Sequence, residues 1–389
     1  MSSSCAGRHC RRLNACMRTF GVEEELLLVD VRTGLPTAAA PRILEWRSKD
    51  GGPELEAEIQ QEMIEVVGPV CSTTQELAEA IADGRRRADA DAVAVGARAL
   101  PLATSPVSVH PHASPSSRYA EMMRRYGITA RRTLTCGFHV HVAIDSPREG
   151  VAALDRIRDW LPTILALSSN SPFWDGTDTG YASYRNDVWS RWPCAGPNPV
   201  FGSEAAYREH EGSLLASGAL LDEGMLYFDA RLSRHHPTLE VRVADICLRQ
   251  EDAVTIAALC RGLVETAVIE WQAGMPPLRT DQRLLGLATW RAALSGMRGD
   301  HVHPVAGTPC APAASIAALL EHVRPGLEAL GDVERVVHGV QEILRRGTGA
   351  DWQREQVARR GSVGDIVRNL SADGVPAAES TGESASVIV

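Results

Sequence analysis

Two histidines, His139 and His141, stand one residue apart in the apolar, β-branched run TCGFHVHVAI. Side chains of an extended chain alternate between its two faces, so the histidines share one face while phenylalanine and valines occupy the other. Imidazole nitrogens bind metal ions and transfer protons near neutral pH. The pattern therefore predicts a strand with one apolar face and one chemically active face. The alternative is a pair of polar residues that the strand merely tolerates.

Carboxylates follow the same alternation in two further apolar runs. In FGVEEELLLVD, Glu23 and Glu25 share a face and Glu24 lies on the other, whereas in HHPTLEVRVADIC the shared face carries Glu240 and Arg242. Burying several carboxylates is costly unless a cation neutralises them. A metal ion would do so, and an arginine beside it suits a metal-bound phosphate. The alternatives are a charged strand end in solvent and a structural ion pair between strands.

The segment ELEAEIQQEMIEVVGP is compatible with two kinds of secondary structure. As a strand it places Glu58 and Glu62 on one face and Glu65 on the other, unless a bulge intervenes. As a helix it places all three on one stripe, which is also typical of an amphipathic helix exposed to solvent. Both alternatives remain open from the sequence.

The candidate ligand atoms are mostly oxygens. Mg²⁺ and Mn²⁺ prefer such sites, whereas Zn²⁺ prefers more histidine or cysteine. Carboxylates clustered around Mg²⁺ are typical of phosphate chemistry, with ATP as the phosphate source. Lys49 is the only lysine among 40 basic residues. Because it lies in a polar segment, sites that depend on a phosphate-loop lysine or a Schiff-base lysine are excluded.

Composition argues against several other classes of protein. The net charge is −9 and the arginines are scattered, so we expect no nucleic-acid binding. No uncharged apolar run reaches the roughly 18 residues of a membrane span, so we expect no membrane partner. The nine cysteines include no CxxC pair. The sequence therefore predicts a reduced, cytoplasmic protein without a zinc finger.

The predicted strands and helices that position these side chains do not follow one another in a regular order. Helical patterns, the clearest of them over residues 74–98, fill the intervals between strands and crowd toward the C-terminal end. The residues from 170 to 200 form a long loop rich in glycine, proline, asparagine and aromatic residues, which is typical of a functional or mobile segment. The distribution favours an α+β fold over a regular βαβ array. Strand-like runs occupy residues 18–30, 99–105, 134–144, 224–233 and 238–247.

Composition also divides the chain into three parts. Residues 1–16 lack apolar periodicity and a signal-peptide segment, and Met17 directly precedes the first strand, so we expect a disordered or misassigned leader. Residues 17–370 are predicted to form a single catalytic domain. Residues 371–389 are small, polar and aperiodic, which predicts a flexible tail.

Six motifs occur in an order that resembles the glutamate-cysteine ligase type 2 family of ATP-dependent carboxylate-amine ligases. The resemblance implies a glutamine-synthetase-like catalytic fold, in which a curved, mainly antiparallel sheet forms a funnel lined by metal-binding carboxylates, with helices packed outside. It also implies the reaction. ATP phosphorylates a substrate carboxylate, such as the γ-carboxylate of glutamate, and an amine such as cysteine attacks the acyl phosphate to form an amide. The motifs are FGVEEELLLVD, EMIEVVGP, RYAEMMRRYG, CGFHVHVAID, PTLEVRVADI and TWRAALSGMRGD.

The resemblance also implies roles for individual residues. Arg242 would contact phosphate, and His141 is a hypothetical base for the amine, with a nucleotide contact or a structural role as its alternatives. An amino-acid carboxylate would need a guanidinium group, and Arg185 is the first candidate because it lies in the long aromatic loop. The further candidates are Arg191, Arg234 and Arg291. The implied metal ligands are Glu23, Glu25, Glu58, Glu65, His139 and Glu240.

Two other functions are compatible with the same residues. One is a metal-dependent amidohydrolase built on His139 and His141 with the glutamates, although such sites hold more histidine and lie at the ends of parallel strands. The other is an inactive, ligase-like binding protein. For the ligase we expect ATP and small carboxylate and amine substrates as partners, and a homo-oligomer is compatible with the sequence.

Overall fold

The computed structural model describes residues 17–47 and 54–373. The strands are β1 (Phe20–Asp30), β2 (Glu54–Ala57), β3 (Met63–Val67), β4 (Ala97–Leu100), β5 (Gly137–Ala143), β6 (Phe173–Trp174), β7 (Thr177–Asp178), β8 (Ala230–Leu232), β9 (Thr238–Asp245), β10 (His301–Val302) and β11 (Pro309–Cys310). The helices are α1 (Ala40–Arg47), α2 (Thr74–Ala94), α3 (Ser117–Tyr126), α4 (Ile128–Arg132), α5 (Pro147–Ile157), α6 (Leu161–Ser168), α7 (Tyr184–Trp189), α8 (Glu204–Ala216), α9 (Gln250–Gln272), α10 (Gln282–Ser295), α11 (Pro312–Leu330), α12 (Val333–Arg346), α13 (Gly349–Arg360) and α14 (Gly364–Asp373).

The central sheet has seven strands in the order β2-β3-β1-β5-β9-β8, and β4 pairs with the second half of β1. Each of these pairings is antiparallel. Two short ribbons, β6 with β7 and β10 with β11, lie outside this sheet. An antiparallel sheet can pack one face against a core and leave the other free. The architecture thus permits a strand that is apolar on one side and polar on the other.

Strand β1 shows how the two faces of the sheet differ. Phe20 and Val22 are buried on the face that is covered by helices, and the guanidinium carbon of Arg261 from α9 lies 4.1 Å from the ring centroid of Phe20. Glu24 shares this face, where Arg85 of α2 binds its carboxylate at 2.7 Å. A buried carboxylate needs such a partner. Glu23 therefore points to the opposite face, as the alternation predicted.

Helix α9 lies at the centre of the helical layer. It packs against α2, α5, α11 and α12, and 16 of its 23 residues are buried. Each large aliphatic side chain buried in this way contributes about 1.5–3 kcal/mol to the free energy of folding. Although α9 is apolar and long, no helix in the described part of the chain is long and apolar enough to cross a membrane.

Several element boundaries differ from the sequence predictions. The ambiguous segment forms the hairpin of β2 and β3, not a helix. The helix predicted over residues 74–98 ends at Ala94, because Gly96 adopts a φ of 80° and β4 begins directly after it. The long loop contains α7 and the β6–β7 ribbon. Helix α14 continues to Asp373, so the first three residues of the predicted tail are helical, whereas the leader at residues 1–16 lies outside the described residues. The single domain over residues 17–370 stays a prediction.

Candidate active site

Strand register brings the candidate ligands of four strands onto one face of the sheet. Directly opposed residues share a face, so the alternation seen within each strand continues across the sheet. Gly21 lies opposite His141 on β1, and a side chain there would approach the backbone oxygen of Pro69 to 3.1 Å. The cross-strand pairs are Glu25 with Glu65, Glu23 with His139, and His141 with Glu240.

These side chains line a cavity of about 560 Å³. Glu58 reaches the cavity from the turn between β2 and β3, outside either strand. The alternation of faces along a strand therefore does not apply to Glu58. Glu58 and Glu65 can both face the cavity, although a single strand would have placed them on opposite faces. Glu62 is directed elsewhere, because its Oε1 lies 2.6 Å from Nδ1 of His112.

Glu23 connects the two histidines. Its Oε2 lies 3.2 Å from Nδ1 of His139, and its Oε1 lies 3.2 Å from Nε2 of His141. His139 lies 3.8 Å from carboxylate oxygens of Glu25 and of Glu65. Burial disfavours the charged form of Glu23, but the hydrogen bond with His139 and the close contact with His141 outweigh this and hold its pKa well below the usual value. Glu23 is therefore an ionised carboxylate that faces the cavity.

Glu25, Glu58 and Glu65 form a cluster of carboxylates whose oxygens lie within 4.8 Å of one another. Burial, followed by the charge of Glu25, raises the pKa of Glu58 to about 7. Burial and the charge of Glu58 raise the pKa of Glu65 as well. Close carboxylates cannot all be ionised without a compensating cation. Because oxygens outnumber nitrogens in the whole donor set, the residues present fit Mg²⁺ or Mn²⁺.

In the metal-free protein, we expect the free energy of unfolding to fall as pH rises from about 4.5 to about 7. A carboxyl group whose pKa is raised by folding stabilises the native state fully below its unfolded pKa, and this stability is lost as pH rises through the folded pKa. The change Glu58→Gln should flatten the slope. Urea unfolding in EDTA at several pH values across this range tests the prediction, and equal slopes for the two proteins would contradict it.

Glu240 lies between two arginines. Arg242 binds one of its carboxylate oxygens, and Arg231 of β8 binds the other at 2.7 Å. Burial opposes the negative charge of Glu240, but the charges of Arg242 and then Arg231 outweigh it and lower the pKa of the carboxyl group. Arg242 also lines the cavity. Its guanidinium group is thus held in place by a carboxylate while facing the space between the other ligands.

The two histidines differ in their protonation. Burial disfavours the charged form of His141, but the close contact with the charged carboxylate of Glu23 outweighs it and raises the pKa of the imidazole. Burial and the charge of Arg242 lower the pKa of His139. A neutral imidazole can bind a metal ion, whereas His141 holds a proton more readily. The Nδ1 atom of His141 lies 3.0 Å from the hydroxyl oxygen of Thr238, which fixes the orientation of its ring.

Arg185 lies beside Gly137 on the face of the sheet that carries His139, but it is absent from the described lining of the cavity. It is 3% exposed, and it donates to the carbonyl oxygens of Arg242 at 3.3 Å and of Val243 at 3.4 Å. Any side chain at position 137 would collide with its guanidinium group, so Gly137 is required for this close approach. The structure therefore places Arg185 as a support for the floor of the site.

The other candidate arginines are divided between the cavity and the surface. Arg234 lines the cavity, as His236 does, and forms an ion pair with Glu223. Arg191 and Arg291 form ion pairs with aspartates and do not belong to the described lining of this cavity.

The sequence interpretation missed several lining residues. Arg118 and Tyr119 begin the motif RYAEMMRRYG, which contributed only to the family resemblance. Arg231 lies on the predicted strand 224–233. Its proximity to Glu240 depends on the pairing of β8 with β9, which a local sequence pattern does not predict. An aromatic wall is formed by Trp189, Trp192 and Tyr227.

Comparison with known proteins gives one consistent family. The family model described as glutamate-cysteine ligase family 2 (GCS2) matches residues 19–369. A protein of Paenarthrobacter aurescens (strain TC1) named "Putative glutamate–cysteine ligase 2-1" is 51% identical over 366 residues, which cover 92% of this chain and 94% of that protein. A Streptomyces coelicolor protein named "Putative glutamate–cysteine ligase 2" is 45% identical over 353 residues, covering 90% and 97% of the two chains.

Solved structures share the fold at low sequence identity. The glutamate–cysteine ligase of Francisella tularensis, solved in complex with AMP, has a TM-score of 0.68 and 13% identity, and the match covers 93% of this chain and 89% of that chain. A bifunctional glutathione synthetase of Pasteurella multocida has a TM-score of 0.60 and 14% identity, with 92% and 52% covered. At such identities the likeness concerns the fold. The predicted α+β fold, with an antiparallel sheet and helices outside it, is confirmed.

Proposed function

Since the chain belongs to glutamate-cysteine ligase family 2 and is therefore a ligase, we propose that it joins a carboxylate to an amine at the expense of ATP. In this proposal ATP phosphorylates the carboxylate, and the amine displaces phosphate from the acyl phosphate to form an amide. The γ-carboxylate of glutamate is the acid, and the amine is one such as cysteine. The observation that carries the proposal is the convergence of the carboxylates and His139 on Arg242 in one cavity.

The proposed metal ligands are the six side chains that the family resemblance assigned. They supply oxygen atoms and one imidazole, and the repulsion within the cluster of Glu25, Glu58 and Glu65 is the feature that a divalent cation would relieve. When bound, Mg²⁺ or Mn²⁺ neutralises phosphate oxygens and withdraws charge from the transferred group. The remaining ligands in this proposal are Glu23, His139 and Glu240.

Arg242 is the proposed phosphate contact. A carboxylate is a poor electrophile, so its oxygen must first become a leaving group, and a fixed guanidinium group stabilises charge on the phosphoryl oxygens during transfer. Glu240 and Arg231 hold Arg242 in position before substrate arrives. This prior ordering means that little reorganisation is needed during the reaction.

The amine must lose a proton before it attacks. His141 is the proposed acceptor, acting through its cavity-facing imidazole, with Glu23 beside it to stabilise the imidazolium that results. Arg234 is the proposed contact for a substrate carboxylate, because it is the candidate arginine that lines the cavity. Arg185 and Arg291 would then act on the floor and on the surface, away from the substrate.

The test is ADP release by the full chain with Mg²⁺, glutamate and a panel of amines that includes cysteine. We expect ADP to form only when an acid and an amine are both present, together with a stoichiometric amide. Replacing Mg²⁺ by EDTA should abolish the reaction. ATP-independent hydrolysis of an amide, activated by Zn²⁺, would instead support the amidohydrolase and overturn the ligase. Nucleotide binding with no turnover for any pair would support the binding protein.

A further inference from the structure

A second, smaller cavity of about 170 Å³ adjoins the candidate active site. The two cavities share Trp189, whose side chain contributes to the walls of both. The smaller cavity is formed between the segment before β8, helix α7 and helix α10. Its most distinctive lining residues are Asp229 and the aromatic residues Tyr181 and Trp290.

Asp229 is a buried carboxylate without a hydrogen-bond donor. It is 6% exposed, and among the described residues none is found to donate a hydrogen bond to its carboxylate. Its backbone carbonyl accepts from the backbone N–H of Arg242 at 2.9 Å, which fixes the residue next to the active site. Burial raises the pKa of Asp229 to about 7, although the charge of Arg185 opposes this. A buried carboxylate without a hydrogen-bond donor lowers the free energy of unfolding, unless a ligand supplies the missing donor.

The nearest guanidinium group is already engaged by other acceptors. Arg185 donates to two backbone carbonyls and lies 3.9 Å from Asp245. Asp245 accepts further hydrogen bonds from the hydroxyls of Ser171 at 2.7 Å and Ser183 at 2.8 Å. The charge of Arg185 is thus shared between Asp245 and Asp229, and the structure shows no hydrogen bond from Arg185 to the Asp229 carboxylate.

The rest of the wall favours a cation and disfavours an anion. Among the described lining residues of this cavity there is no arginine, lysine or histidine, and its other carboxylate, Asp187, pairs with Arg191 at 2.8 Å. The aromatic faces add attraction for a positive charge. The indole N–H of Trp290 donates to the hydroxyl of Tyr181 at 3.1 Å, so these two rings hold each other in place.

We propose that this cavity binds the cationic end of the amine substrate. The amine would then carry a second positive charge, as a diamine does, with its reactive nitrogen directed past Trp189 to Arg242. An α-amino acid such as cysteine would bring a carboxylate to a cavity whose described lining holds no arginine, lysine or histidine, so this inference replaces cysteine by a diamine as the amine of the proposed function. This inference rests on the proposed ligase function, because it names the class of the second substrate.

Binding can be tested separately from turnover. The intrinsic tryptophan fluorescence of the nucleotide-free full chain is titrated with 1,4-diaminobutane and with the uncharged 1,4-butanediol. We expect a saturable change with the diamine alone, and an affinity about tenfold or more weaker in Asp229→Asn. Asp145→Asn, which removes an exposed charge outside the cavity, should bind like the wild type. Asparagine removes the costly buried charge, so the variant is expected to fold.

The same variants separate this inference from the ligase proposal. With glutamate and ATP, Asp229→Asn should raise the KM for 1,4-diaminobutane about tenfold or more and leave the KM for ATP unchanged. Equal fluorescence responses to the diamine and the diol, or wild-type diamine affinity in Asp229→Asn, would overturn the cation site while leaving ADP release with other amines intact. Diamine binding that depends on Asp229, in a protein that releases no ADP with any amine, would overturn the ligase proposal and keep the cation site.

Discussion

Replacing Arg242 by alanine should lower the rate of amine-dependent ADP release by about 10³-fold or more. The guanidinium group lines the cavity beside the proposed metal ligands and is held by Glu240, so its positive charge is already in place before substrate binds. Loss of such a group removes stabilisation of charge that develops on the transferred phosphoryl oxygens. The measurement is kcat with saturating ATP, glutamate and amine. Arg324→Ala, a change at an exposed arginine of α11, is the matched control and should retain wild-type kcat.

Comparing Glu240→Gln with Arg242→Ala separates the loss of protein stability from the loss of a group that contacts phosphate. In Arg242→Ala, Glu240 keeps its ion pair with Arg231, so we expect a stability loss of only about 1–3 kcal/mol. In Glu240→Gln, two arginines lose their shared carboxylate, and we expect about 3–5 kcal/mol. Urea unfolding of both variants provides the comparison. Wild-type turnover in Arg242→Ala would refute the phosphate-contact assignment, whatever the stabilities are.

Local alternation explains why much of this site could be predicted from the sequence. In β1, β5 and β9 the side chains at even and odd positions differ sharply in polarity, so strand parity alone placed Glu23, Glu25, His139 and Glu240 on faces that would carry ligands. The antiparallel pairing then brings these faces together. Parity also placed Glu24 on the other face, where the structure pairs it with Arg85.

The parts that could not be predicted depend on contacts between distant segments. Glu58 lies in a turn, where neither strand nor helix periodicity applies. The short segment around it was compatible with both patterns, so the sequence could not decide between them. Arg185 was proposed as a substrate contact because of its loop, and α7 carries it to Gly137 and Asp245, both of which are distant in sequence. The approach of Arg231 to Glu240 likewise requires the β8–β9 register. Such pairings follow from tertiary packing, which local sequence patterns do not encode.

Glu65→Gln should have opposite effects on the stability of the metal-free protein and on activity. At neutral pH the native metal-free state must either protonate Glu65 or tolerate its repulsion from Glu58 and other carboxylates, because burial and these charges raise the pKa of Glu65. Glutamine has the same shape and carries neither cost, so the variant should melt a few degrees higher than the wild type in EDTA. The difference should disappear as pH falls below the ordinary glutamate value of about 4.5, where the unfolded chain is protonated as well.

With Mg²⁺ the order of the two proteins should reverse. A ligand present at 100 times its Kd stabilises a folded protein by about 2.7 kcal/mol, and the wild type should gain this amount while Glu65→Gln gains little. Turnover in the variant should fall about 100-fold or more, since one proposed metal ligand is lost. Melting curves with and without Mg²⁺, beside kcat, measure both effects. Glu321→Gln, on the exposed surface of α11, is the control for loss of one carboxylate. A Mg²⁺-dependent shift in Glu65→Gln equal to that of the wild type would show that Glu65 does not hold the cation.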